Sequence, residues 1–104
     1  MNLSDLDVLL KGVCPDTYRD AAPEGVSRYV VWWQDGAAAL YGDDATVLAL
    51  PRIWVGVYTQ DYDDDLPERI VDALSGAGQP VRVSGPEYLD RELSIVTTLS
   101  LTLV

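Results

Sequence analysis

The chain contains no histidine. That removes the usual general base near neutral pH, the usual hydrolase triads and the commonest transition-metal ligand. Cysteine is almost missing as well. Cys14 stands alone among 104 residues, so no disulfide forms within the chain, and a small buried apolar role near a helix end is its expected use. A phosphate-cradling loop is missing too, because Gly76 and Gly78 are followed by Gln79 and Pro80 where such a loop needs a lysine. No apolar run approaches the ~20 residues that span a bilayer. Asp5, Asp7 and Lys11 interrupt the stretch that a signal peptide would keep apolar, so synthesis in the cytoplasm, with no membrane partner, is the expectation.

Basic residues are scarce. Seven Lys and Arg against seventeen Asp and Glu give 7 − 17 = −10 at neutral pH, a field that repels phosphates and disfavours nucleic acid or an anionic membrane as a partner. Two uses of that sign remain open: imitation of DNA, and lining a passage through which DNA slides without being held. The 48% of apolar residues is the proportion of a folded domain, and the length suits one core and no more.

Along the chain, Leu3, Leu6, Leu10 and Val13 recur at helical spacing. They predict an amphipathic helix capped by Asn2 or Ser4 and stopped by Gly12 and Pro15. Residues 15–25, with Pro15, Pro23 and Gly25, read as an irregular connection. The β-prone run Ser27 to Gln34 follows, in which Trp32 and Trp33 must point to opposite faces. Asp35-Gly36 and Gly42-Asp43-Asp44 are turn signals, so a hairpin or projecting loop is expected over 35–44. Thr46 to Leu50 reads as the start of the next strand, and Pro51 marks an edge or a bulge.

Arg52 to Thr59 is the clearest central strand. Ile53, Val55 and Val57 are expected to meet the helices, and Arg52, Trp54, Gly56 and Tyr58 to line the other face. Leu66, Ile70, Val71 and Leu74 define a second helix ending near Gly76, with Asp65 and Glu68 at capping-box spacing. Val81 to Val83 is a short strand before a turn at Gly85-Pro86. In the last strand Leu93, Ile95, Leu99, Leu101 and Leu103 are the expected core face, alternating with Ser94, Thr98, Ser100 and Thr102. The expectation is an α+β fold over residues 1–104: a single mixed, mainly antiparallel sheet of four to five strands with two helices packed on one face.

Little catalytic chemistry is on offer. Asp61, Asp63, Asp64 and Asp65 have the spacing of calcium ligands, with Asp72 downstream, but Leu66 stands where that loop needs glycine and Pro67 opens a helix. An acidic helix cap is the simpler reading. Pairs such as Asp43 and Asp44, or Glu87 and Asp90, are ordinary on an acidic surface. No catalytic, cofactor or metal residues are assigned, and a non-enzymatic role is expected.

The segments Ala22-Pro23-Glu24-Gly25, Tyr29-Val30-Val31-Trp32, Tyr41-Gly42-Asp43-Asp44 and Val55-Gly56-Val57-Tyr58-Thr59 occur in that order, followed by the Leu66 to Leu74 helix and Tyr88 before the last strand. This order resembles the tail terminator and tail-completion proteins of long-tailed, non-contractile phages, over roughly residues 17 to 104. The resemblance implies a virion protein of the neck, made in the bacterial host cytoplasm. It implies a homo-oligomeric ring, a hexamer in that family, that caps the tail tube and joins it to the head connector while DNA passes unheld. Under it, Trp32, Trp54 and Tyr58 are candidate subunit contacts, and Asp35, Tyr41, Asp43 and Asp44 belong to a loop over 35–50 that reaches toward tube or connector. Asp61, Asp63, Asp64 and Asp65 line an acidic lumen or cap the helix. A head-closure or connector component of the same neck is one alternative, and a small acidic inhibitor or DNA mimic is another.

Overall fold

The computed structural model describes residues 1–41, 46–91 and 93–104, with side chains described throughout these except at 38–41 and 46–49. The chain runs α1 (Leu3–Val13), β1 (Thr17–Arg19), β2 (Tyr29–Tyr41), β3 (Thr46–Thr59), α2 (Leu66–Gly76), β4 (Arg82–Leu89) and β5 (Ser94–Thr102). The five strands make one sheet in the order β1-β2-β3-β5-β4. The β1–β2 pair is parallel, and the β2–β3, β3–β5 and β4–β5 pairs are antiparallel. The fold is α+β, as the periodicities predict.

Helix α1 starts at a reciprocal cap. Asp5 N–H donates to the Asn2 side chain at 2.8 Å, and Asn2 N–H donates to the Asp5 carboxylate at 3.3 Å, which satisfies two otherwise orphaned donors. Its stripe buries Leu6 and Leu10, while α2 buries Leu66, Ile70 and Leu74. These side chains pack on Val30 and Trp32 of β2, Ile53, Val55 and Val57 of β3, and Leu99 and Leu101 of β5. The strand residues are mutual neighbours by register: Val30 faces Val57, Trp32 faces Val55, and Val55 faces Leu99. Each fully buried aliphatic side chain here contributes roughly 1.5–3 kcal/mol. After β5, Leu103 also enters the core, and Gln79 holds the chain there through two bonds with the backbone of Val104, at 2.7 and 2.8 Å.

The helices cover one side of the sheet, and they stop short of its β4 edge. Seven of the eight residues of β4 are exposed. At the opposite edge, β1 is a three-residue strand in the segment that reads from sequence as an irregular connection. So short an element carries no periodicity of its own, and its pairing with β2 is what defines it.

Glycine signals behave differently from the sequence reading in two places. Asp35-Gly36 is no turn. Strand β2 continues through it, and the register slips between Gln34/Ala37 while Gly36 takes φ 73°. Gly85-Pro86 likewise lies inside β4, with a slip between Ser84/Glu87 and Gly85 at φ 101°. In each case three steps along one strand oppose two along its partner, so each glycine accommodates one extra residue in a β-bulge. Pro51 sits opposite the first bulge, where the ladder is already interrupted, in line with the expected bulge. The pieces 46–50 and 52–59 are thus one strand.

The loop expected over 35–50 is a paired hairpin that projects from the sheet. The last rung between β3 and β5 pairs Arg52 with Thr102, and the Pro51 carbonyl still accepts from Leu103 N–H at 2.8 Å, so among the described residues 38–41 and 46–50 pair only with each other. This two-stranded arm extends roughly 17 Å past the sheet at ~3.4 Å per residue, in keeping with a long axis of 50 Å against 26 and 22 Å. The expected turn at Gly42-Asp43-Asp44 lies outside the described residues.

Leu93 departs from its predicted place. It is 67% exposed at φ 49° in the β4–β5 connection. Thr97 holds the buried position in the phase of Ile95 and Leu99, because it lies opposite Val57.

A Cβ at Gly85 would lie 3.0 Å from the Val96 carbonyl oxygen, whereas one at Gly12 meets nothing within 4 Å. Gly85→Ala is expected to destabilise the fold by about 1–3 kcal/mol. Gly12→Ala, in α1, is expected to leave stability unchanged or raise it by up to about 1 kcal/mol. Urea denaturation followed by circular dichroism measures both.

Candidate functional site: the open face of the sheet

Side chains alternate along β3, so burying Ile53, Val55 and Val57 under the helices sends Trp54, Gly56 and Tyr58 to the other side. On β2 the same rule sends Tyr29, Val31 and Trp33 there. The register then aligns them: Tyr29 faces Tyr58, Val31 faces Gly56, and Trp33 faces Trp54. Tyr18, next to Val31 across the parallel pair, joins this face from β1. No helix covers it. The segment 20–23 approaches it at one margin, forming a recess with Tyr29, Val31, Trp33 and Tyr58.

The aromatic rings are ordered by their neighbours. Tyr29 and Tyr58 stack with centroids 4.6 Å apart and planes 9° from parallel, an arrangement of the kind that adds ~0.5–1.5 kcal/mol beyond area burial. Gly56 makes room for it, since a Cβ there would lie 3.0 Å from the Tyr58 ring. The Trp54 indole N–H donates to Asp35 at 3.2 Å, which satisfies its polar edge and leaves the ring across the sheet. The result is a preordered, partly exposed aromatic surface with few rotamers left to lose on binding.

Trp54 and Tyr58 lie on this face as expected. Trp32 does not, and its expected place among the subunit contacts is corrected. It is 2% exposed and belongs to the core. Its indole N–H donates to Asp7 at 3.0 Å, and the Arg19 guanidinium lies 4.9 Å from its ring centroid. Asp7 also bridges Lys11 at 2.7 Å. That bond above all holds the Asp7 carboxyl below the usual carboxylate range against the effect of burial, with the Trp32 bond adding to it. Trp33 takes the outward position. Sequence reasoning missed Trp33 and Tyr29 because 29–33 is apolar in both phases. The usable signal was that Tyr29, Val31 and Trp33 share a phase.

Asp35 is part of β2 rather than a loop, held by Trp54. Asp43 and Asp44 lie outside the described residues, and so does the side chain of Tyr41.

In the acidic run the helix cap is real, but the capping residue differs. Asp65 makes no side-chain capping bond. Asp64 accepts from Leu66 N–H at 3.0 Å and receives the Arg28 guanidinium in a fork, at 2.7 and 2.9 Å. Asp61 accepts from Asp63 N–H at 2.9 Å. With Asp64 drawn to Arg28, no metal-binding group of three or more acidic or sulfur ligands forms among the described residues. The Arg28 fork is the main reason the Asp64 carboxyl is held below the usual range, with burial opposing it and the Leu66 N–H assisting.

A carboxylate depressed in the folded state stabilises the fold above its unfolded value of about 4 and loses that contribution as pH falls through its folded value. Asp64→Asn is therefore expected to cost about 1 kcal/mol at pH 7, a figure reduced for the 45% exposure of the Arg28 side chain. The difference from wild type is expected to shrink progressively below about pH 4. Thermal denaturation at pH 7 and at pH 3 checks the sign.

Among the described residues no helix is long and apolar enough to cross a membrane. Compared with known proteins, the chain matches no family model and no curated sequence, so a functional reading rests on the surface described above.

Proposed function

We propose that this chain is a structural subunit that assembles with copies of itself, in the manner of a ring that terminates a phage tail tube and joins it to the head connector. The observation that carries the reading is the aromatic open face. Tyr29 with Tyr58 and Trp33 with Trp54 form two cross-strand aromatic pairs, with Val31 and Gly56 between them, on the side of the sheet that α1 and α2 leave uncovered. Large aromatics are the residues that most often dominate an interface when a neighbour covers them. The projecting two-stranded arm over 38–50 supports the same reading, since it extends beyond the body and offers a surface for a tube or connector protein. The role proposed is non-catalytic, and the location is the virion neck.

The net charge of −10 fits such a position. An acidic ring wall repels the phosphates of DNA moving through it, so the polymer passes without adhering.

Mass photometry and sedimentation on the purified chain, alone and with a tail-tube protein, test this. Ring-sized particles are expected, and a species that stays monomeric at high concentration in both conditions would sink the reading. Trp33→Ala and Trp54→Ala are each expected to weaken assembly by about 2 kcal/mol, which is roughly a 30-fold rise in the concentration required. Because both side chains lie outside the helix-covered core, the circular dichroism spectrum of each variant is expected to match wild type.

A further inference from the structure

At the hairpin end of the open face, a recess of about 560 Å³ is lined by Asp35, Arg52, Trp54, Arg82, Ser100 and Thr102. The register explains why two arginines meet there. Arg52 on β3 faces Thr102, and Arg82 on β4 faces Ser100, so both rise on the same side of the sheet and flank β5. Strand spacing and rise place their Cα atoms roughly 12 Å apart, within joint reach of one small group of anions.

Both arginines are exposed, and among the described residues the ion pairs are Lys11 with Asp7 and Arg28 with Asp64. Asp35, the one carboxylate lining the recess among the described residues, already accepts from Trp54. Two guanidinium groups and one carboxylate leave 2 − 1 = +1 in the recess, on a body of net charge −10. With the Ser100 and Thr102 hydroxyls between them, the arginines offer forked donors matched to carboxylates.

The complementary charge lies at the other end of the same strand. Beyond Thr59, Asp61, Asp63 and Asp65 are exposed, and among the described residues neither the Asp63 nor the Asp65 carboxylate has a hydrogen-bond partner, whereas Asp64 is taken by Arg28. Arg52 and Thr59 are seven residues apart in an unbroken strand, roughly 23 Å. A basic recess and an acidic projection at opposite ends of one subunit are the two halves of a head-to-tail contact, the kind that closes a ring when its rotation divides the circle.

We infer that the Arg52–Arg82 recess receives the Asp61–Asp65 segment of a second copy of this chain. The inference rests on the self-assembly proposed above and names its contact. The contact is ionic at its centre, so assembly weakens as salt is raised.

A charge-swap experiment tests it. One variant carries Arg52→Glu and Arg82→Glu, and the other carries Asp63→Lys and Asp65→Lys. All four positions are exposed, and circular dichroism confirms that each variant folds. Each variant alone is expected to need at least about tenfold more protein to assemble than wild type, and an equimolar mixture is expected to recover ring-sized particles by mass photometry. Assembly by both variants alone, or a mixture that recovers nothing, overturns this contact while leaving self-assembly standing. A wild-type chain that never assembles overturns both. Binding of a short DNA duplex to wild type and not to the arginine variant would make phosphate the occupant, and would also overturn the inference.

Discussion

The alternation of β3 is the constraint on which the rest of the structure depends. A strand hydrogen-bonded on both sides cannot rotate, so once Ile53, Val55 and Val57 are committed to the helices, every neighbour's phase follows through the ladder. Val30 and Trp32 go inward with them, and Trp33 and Tyr29 go outward. Thr97 is buried and Leu99 joins the core for the same reason. One strand therefore divides the molecule into a side that is finished by its own helices and a side that is not.

The unfinished side is ordered without being covered. Tyr58 lies over Gly56 and against Tyr29, and Trp54 is tied to Asp35. These contacts restrict the rings before any partner arrives, which lowers the entropy cost of docking. Polar groups are distributed differently at the two ends of this face. The hairpin end carries Arg52 and Arg82, and the opposite end leads into the acidic segment that begins at Asp61. A subunit with unlike ends and an apolar middle is suited to repeated, directional contacts, which is the physical content of the proposed assembly.

Two glycines shape this surface by adding residues to strands. The bulge at Gly36 lets β2 continue past the sheet as one arm of the hairpin, and the bulge at Gly85 keeps β4 paired along β5 despite Pro86. Both positions use a backbone conformation that glycine adopts without the steric penalty of a Cβ. At the start of α2, Arg28 draws Asp64 out of the acidic run to cap the helix, joining the connection before β2 to the loop after β3.

The sequence alone determined both helices, the central and last strands, the α+β class and the outward placement of Trp54 and Tyr58, because each rests on a periodicity repeated within one element. It also determined the acidic character of the body, which needs only a count of charges. Tertiary structure decided which of Trp32 and Trp33 is buried, since 29–33 is apolar in both phases and only the register against Val55 selects one. It decided that Gly36 and Gly85 make bulges rather than turns, because a glycine at positive φ serves either purpose until a partner strand is present. The three-residue β1, the choice of Asp64 over Asp65 as cap, and the meeting of Arg52 with Arg82 were likewise beyond sequence. Each depends on residues far apart in the chain, and no local pattern records which of them the folded ladder will bring together.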